Sequence, residues 1–168
     1  GGGSADAAAT MRGLCELWGV KPDFAFLDPI ALALGADIPA CLRSRPLVMR
    51  GVGEAIQEWR TADLALGLLL SNPRVASPTP AVFRAFVMKD AMRRPVARGG
   101  EGRAAFLNRI RENGNDLSDA AIAVAPAISE VLAALRKTPG ALHVAMSGSG
   151  ATCYALFEDA QQASEARA

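Results

Sequence analysis

Apolar residues recur at three- and four-residue steps through Ala7, Ala8, Met11, Leu14, Cys15 and Trp18. That spacing predicts a helix over residues 5–18 with one buried stripe. Ser4 or Asp6 can cap its start, Gly19 ends it, and Pro22 follows as a stop signal. A second helix is predicted over 28–34, with Pro29 in its first turn and Gly35 behind it. Asp37 and Pro39 open another short element. Residues 47–50 read as a strand that turns at Gly51-Val52-Gly53. The nearly continuous apolar run over 62–70, bounded by Asn72-Pro73, predicts a buried strand. A turn at 77–80 leads into a helix over 81–88. Pro95, Gly99, Gly100 and Gly102 make 93–102 a loop. Residues 116–135 are helical with a break at Pro126, and 142–146 and 152–157 are strands joined across Ser147-Gly148-Ser149-Gly150. A last helix opens at Asp159. A composition shift near 57–61 marks a lobe boundary.

Composition changes this picture mainly by exclusion. Over 168 residues, 51% hydrophobic content supports a real core. A net charge of +1 argues against nucleic-acid binding through bulk electrostatics, and 5% aromatics against a base-stacking platform. Cys15, Cys41 and Cys153 are far apart, and His143 is the single histidine. No pair has metal-ligand spacing, so no protein metal site is expected. Free thiols, and the absence of a 20-residue apolar run or a leader-like start, point to a cytoplasmic protein without a membrane partner.

Three segments could carry chemistry. Gly1-Gly2-Gly3-Ser4 leads into an alanine-rich helix. Side-chain-free amides and the positive end of a helix together make a phosphate site. The run reads as a domain entered in the middle of its site. In Leu34-Gly35-Ala36-Asp37-Ile38-Pro39, one acid sits among glycine, alanine and proline. Asp37 could orient a hydroxyl or take its proton, or it could simply cap the next helix. Ser147-Gly148-Ser149-Gly150 is either a second backbone-rich ligand turn or an ordinary tight one. Phe83 could stack on a flat ligand, although a core position is the default. His143, Trp18 and Trp59 read as packing residues. The arginines and lysine between 84 and 111 read as a solvated face rather than an anion contact.

Taken in order, GGGSADAAAT, LGADIP, GVGE and MSGSGATCYALF resemble the GHMP kinases across the whole chain. LGADIP followed by GVGE is the most specific part. NGNDL at 113–117, Asn72-Pro73 and Thr79-Pro80 fit one branch of that superfamily. The resemblance implies ATP-dependent phosphorylation of the 2-hydroxyl of a methylerythritol carried on cytidine diphosphate, in the non-mevalonate isoprenoid route, with Mg2+ accompanying the nucleotide. It implies no nucleic-acid partner, and a monomer or homodimer. By position, Gly1, Gly2, Gly3 and Ser4 would hold ATP phosphates, and Asp37 would be the catalytic aspartate. Thr79 and Phe83 would approach the cytidine end of the substrate. Gly148, Ser149 and Gly150 would line the site beside the phosphate loop. The implied fold is α+β in two lobes. Residues 1–58 would be the remainder of a ribosomal-protein-S5-like, ATP-binding lobe, and 59–168 a ferredoxin-like C-terminal lobe. The family's lysine-bearing strand and its cytosine-recognising residues fall upstream of Gly1, and both ends read as truncated. These 168 residues alone are therefore expected to be inactive or nearly so. Ala5 stands where a serine is common. Two other readings remain open: a homoserine- or mevalonate-type kinase of the same superfamily, and a non-catalytic binding module.

Overall fold

The computed structural model describes residues 2–59, 64–86 and 102–167. They form two compact units, one holding 2–59 and the other 64–86 with 102–167.

The first unit is built from α1 (Gly2–Leu17), α2 (Phe24–Leu34), α3 (Ile38–Arg43), β1 (Leu47–Arg50) and β2 (Ala55–Glu58). α1 begins earlier than its alanines predict, so Gly2, Gly3 and Ser4 are helical, and neither Ser4 nor Asp6 is a cap. Helix propagation from the alanine run takes in the glycines, which hold no conformation strongly enough to resist it. The helix closes on Gly19, whose N–H reaches the Glu16 carbonyl at 3.1 Å while the Val20 N–H reaches the Cys15 carbonyl at 2.8 Å. The buried stripe is narrower than the spacing suggests. Ala8 and Cys15 are buried and Ala7 and Met11 pack beside them, but Leu14 and Trp18 are exposed. Trp18 is therefore not a packing residue.

α2 starts at Phe24 rather than residue 28, because the Asp23 carboxylate accepts from the Ala25 N–H at 2.9 Å and caps it there. Pro29 consequently lies inside the helix. Leu27 and Ala31 from α2, and Ile38 and Leu42 from α3, complete the core with α1. Two arginines fasten α3. Arg12 of α1 donates to the Cys41 carbonyl at 2.8 Å, at the end of α3 where carbonyls lack helical partners. Arg43 makes a forked pair with Asp28 at 2.8 and 2.6 Å, donates to the Pro39 carbonyl at 3.0 Å, and stacks 4.5 Å from the Phe24 ring centre. β1 and β2 form an antiparallel hairpin, Leu47 opposite Glu58 and Arg50 opposite Ala55. β2 carries too few apolar residues to be read as a strand from its sequence.

The second unit contains β3 (Gly67–Ser71), α4 (Thr79–Ala85), α5 (Arg103–Asn113), α6 (Ser118–Val124), α7 (Ala127–Lys137), β4 (His143–Met146), β5 (Cys153–Phe157) and α8 (Ala160–Glu165). Its sheet runs β3-β5-β4, antiparallel throughout, with Gly67 opposite Phe157 and Met146 opposite Cys153. β5 thus lies between two strands that run the same way, a split βαβ arrangement. Ile128, Leu132 and Leu135 of α7 meet Met146, Cys153, Ala155 and Phe157. Each of these large apolar side chains contributes about 1.5–3 kcal/mol by leaving water. The run over 62–70 is not a fully buried strand. Among its described residues it pairs from Gly67, and Leu68 and Leu70 face outward, because helices cover one side of the sheet alone. α5 lies within the basic stretch read as a solvated face, and Arg103 and Arg111 of that stretch are engaged. Arg103 donates to the Leu64 carbonyl and pairs with Glu158, and Arg111 reaches the Leu142 carbonyl at 2.6 Å. The loop expected over 93–102 falls almost wholly outside the described residues. The three cysteines are unpaired, and no helix among the described residues is long and apolar enough to cross a membrane.

His143 is half-buried, with its ring 5.8 Å from that of Tyr154. Burial, then the nearby Arg111 charge, pushes its pKa below the usual 6.5. Below that pH the unfolded chain takes up a proton that the folded state resists, so stability falls as pH drops through about 6.5. Denaturant midpoints at pH 7.5 and 5.5 should differ, and His143→Gln should shrink the difference.

Candidate active site

In the first unit, Gly2, Gly3 and Ser4 form the opening turn of α1, and Gly1 lies outside the described residues. The first amides of a helix have no intrahelical acceptor and carry about half a positive charge. No acidic residue occupies that turn. A side-chain carbon added at Gly3 would meet nothing within 4 Å, so the helix start is open on that side. The nearest carboxylate is Asp6, one turn in, 3.8 Å from where a Gly2 side chain would begin. Gly2, Gly3 and Ser4 of the expected phosphate cradle thus lie in the first turn of a helix.

Asp37 directly precedes α3, at the position of a cap, but its carboxylate makes no capping hydrogen bond. Its backbone is already helical, φ −85° and ψ −14°, which turns the side chain away from the amides a cap would serve. The side chain is exposed and has no hydrogen-bond or ion-pair partner among the described residues. The capping reading therefore fails, and the carboxylate is available. What holds it is its neighbours. Ile38 and Pro39 are buried on one side. On the other, Gly53 of the GVGE turn, at φ +106°, lies so close to the Ala36 carbonyl that any side chain there would overlap it. Glu54 braces the same turn by accepting from the Val52 N–H at 2.7 Å. The LGADIP and GVGE segments, noticed separately along the chain, are one packed piece.

In the second unit, Ser147 to Gly150 form a tight turn closed by the Gly150 N–H on the Ser147 carbonyl at 3.0 Å. Gly148 has φ +56° and Ser149 a negative φ, the signs of a type II′ turn, which asks for glycine at its first central position. The structure brings Thr79 to this turn: its hydroxyl lies 2.8 Å from that of Ser149. Ser77 donates to the Ser149 carbonyl at 3.0 Å. Phe83 is one helical turn beyond Thr79 on α4, hence on the same face, and is 56% exposed. It is not a core residue. Thr79, Phe83 and Ser149 thus share one corner. Sequence reasoning missed Ser77 and Asn115. Asn115 donates to the Met146 and Gly148 carbonyls at 2.9 and 2.8 Å. The local signals were its place in the NGNDL run and its position two residues before Leu117, which precedes α6 and whose N–H it accepts from.

Residues 97–168 match the family model described as GHMP kinases C terminal. The 4-diphosphocytidyl-2-C-methyl-D-erythritol kinase of Rhizobium leguminosarum bv. trifolii is 44% identical over 169 residues, covering all of this chain and 56% of that protein. The Sinorhizobium medicae protein of the same name is 46% identical, covering 98% of this chain and 54% of its own length. A crystal structure of 4-(cytidine 5′-diphospho)-2C-methyl-D-erythritol kinase superposes with a TM-score of 0.74 at 31% identity, covering 99% of this chain and 59% of that one. Along its whole length this chain is similar to GHMP kinases, and residues 97–168 match their C-terminal model. Its α+β fold is theirs, and it spans about half the length of the relatives it matches.

Gly53→Ala should push the Ala36 carbonyl and tilt Asp37. The thermal midpoint should drop by several degrees and the Ala36 and Asp37 amide resonances should move. Melting curves and amide spectra check this.

Proposed function

We propose that the full-length protein transfers the γ-phosphoryl group of ATP to the 2-hydroxyl of 4-diphosphocytidyl-2-C-methyl-D-erythritol, an isoprenoid-precursor step. The observation that carries this reading is the chain-long likeness to proteins of that name, at 44% and 46% identity. The uncapped Asp37 carboxylate agrees with it.

In this reading the amides of Gly1, Gly2 and Gly3 and the Ser4 hydroxyl hold nucleotide phosphates at the start of α1. The side-chain-free backbone suits close approach by an oxyanion. Asp37 accepts a hydrogen bond from the acceptor hydroxyl, orients it, and takes its proton as the new P–O bond forms and the bond from the γ-phosphorus to the β,γ-bridging oxygen breaks, with ADP leaving. Thr79 and Phe83 contact the cytidine end, and Gly148, Ser149 and Gly150 line the site. Mg2+ bound with the nucleotide would supply charge neutralisation along the phosphates. No group of three or more His, Cys, Asp or Glu side chains among the described residues is arranged to hold a metal. Phosphoryl transfer rests on positioning and charge stabilisation, so a fixed carboxylate and a fixed amide cradle are appropriate machinery.

Asp37→Asn in the full-length protein should lower turnover of the cytidylyl substrate by about 10²- to 10⁴-fold while ATP binding persists. Because no cap is lost, the stability change should stay within about 0.5 kcal/mol, against about 1 kcal/mol for a lost cap. Rate assays, nucleotide titration and denaturation read the three quantities. Undiminished turnover would remove Asp37 from catalysis. Phosphorylation of homoserine or mevalonate instead would replace the substrate.

A further inference from the structure

The turn between β4 and β5 is held by more side chains than a hairpin needs. Asn115 spends its whole amide there and on the turn that leads into α6. Nδ2 donates to the Met146 and Gly148 carbonyls, and Oδ1 accepts from the Leu117 N–H at 3.0 Å. Ser77 engages the Ser149 carbonyl, and the Gly150 N–H engages that of Ser147. All four carbonyls from Met146 to Ser149 are therefore occupied within the unit. The N–H groups of Gly148 and Ser149 have no partner among the described residues. In a trans peptide the carbonyl and the N–H point opposite ways. Asn115, by holding the Gly148 carbonyl, turns the Ser149 N–H outward. The closing bond on the Ser147 carbonyl does the same for the Gly148 N–H. Two successive outward amides in a turn make a concavity for an anion.

We infer that Asn115 is a positioning residue that aims the Gly148 and Ser149 amides at a phosphate oxyanion of a bound ligand. The inference rests on the kinase reading for the ligand's class. The oxyanion belongs either to the nucleotide or to the cytidylyl diphosphate of the acceptor, and the two are separable by titrating each alone. Asn115 itself touches no ligand. It acts through the backbone, with Ser77 as a second, weaker tether.

The test uses full-length protein with Asn115→Ser, which removes both donations, adds no charge, and keeps a hydroxyl able to accept from the Leu117 N–H. Amide resonances of Gly148 and Ser149 are followed during separate additions of Mg-ATP and of the cytidylyl substrate, together with steady-state kinetics. In the unaltered protein, both amides should shift with one of the two ligands. In Asn115→Ser that response should disappear and the KM for the same ligand rise at least tenfold. The other ligand's KM should stay within twofold, and the Leu117 resonance should be unmoved. Ser77→Ala should raise the same KM two- to tenfold. A general packing defect would not single out one ligand. The inference is overturned if Asn115→Ser keeps the amide response and a KM within twofold, or if the unaltered protein's amides answer neither ligand. Should Asn115→Ser fail to fold, an unchanged KM in Ser77→Ala overturns it. If the unaltered protein does not phosphorylate the cytidylyl substrate yet its two amides answer Mg-ATP through Asn115, the substrate reading falls and the positioning role stands.

Discussion

Backbone carbonyls left over where helices and strands end must find donors, and the architecture of this chain follows from where it finds them. Few large side chains are available to wedge elements into place, because alanine is abundant and aromatics are scarce. Long polar side chains do that work. Arg12 reaches the end of α3, Arg103 the approach to β3, and Arg111 the approach to β4. Asn115 and Ser77 do the same for the turn after β4. A charged donor on a carbonyl contributes more than a neutral one, roughly 1.5–3 kcal/mol against about 1. It also fixes direction, which an apolar contact cannot.

The same device sets the two candidate ligand segments. Around Asp37, the carboxylate is free because everything beside it is not. Buried Ile38 and Pro39, the Arg43 anchor on α3 and the close approach of Gly53 fix the backbone, so the side chain needs no partner of its own. At the β4–β5 turn, engaged carbonyls leave the amides facing out. In both places a reactive or receptive group is unpaired while its surroundings are over-determined, the condition for a preorganised site.

Family and fold class were legible in the sequence, because they live in short local patterns. LGADIP, GVGE and SGSG are runs in which glycine or proline restricts the backbone, and such restrictions survive without tertiary context. The break at Pro126 and the strands on either side of the glycine-serine turn were legible for the same reason. β2 was not. Its Ala55–Glu58 segment is a strand because Leu47–Arg50 pairs with it, not because of its own residues. Trp18 and Phe83 were misjudged because a large apolar side chain on a helical stripe reads as core. Whether another element arrives to cover it is not written locally.

The sequence by itself determined which segments could approach a phosphate or present a lone acid, since glycine content and residue type decide that. Only the tertiary structure decided what those groups are free to do. It removed the capping role from Asp37, joined Ala36 to Gly53, and placed Thr79 against Ser149 across 70 residues of chain. It also made Asn115 the tether of a turn more than thirty residues away. The reason is physical: composition states which donors and acceptors exist, but their satisfaction is settled by long-range contacts, and an unsatisfied group is what a ligand meets.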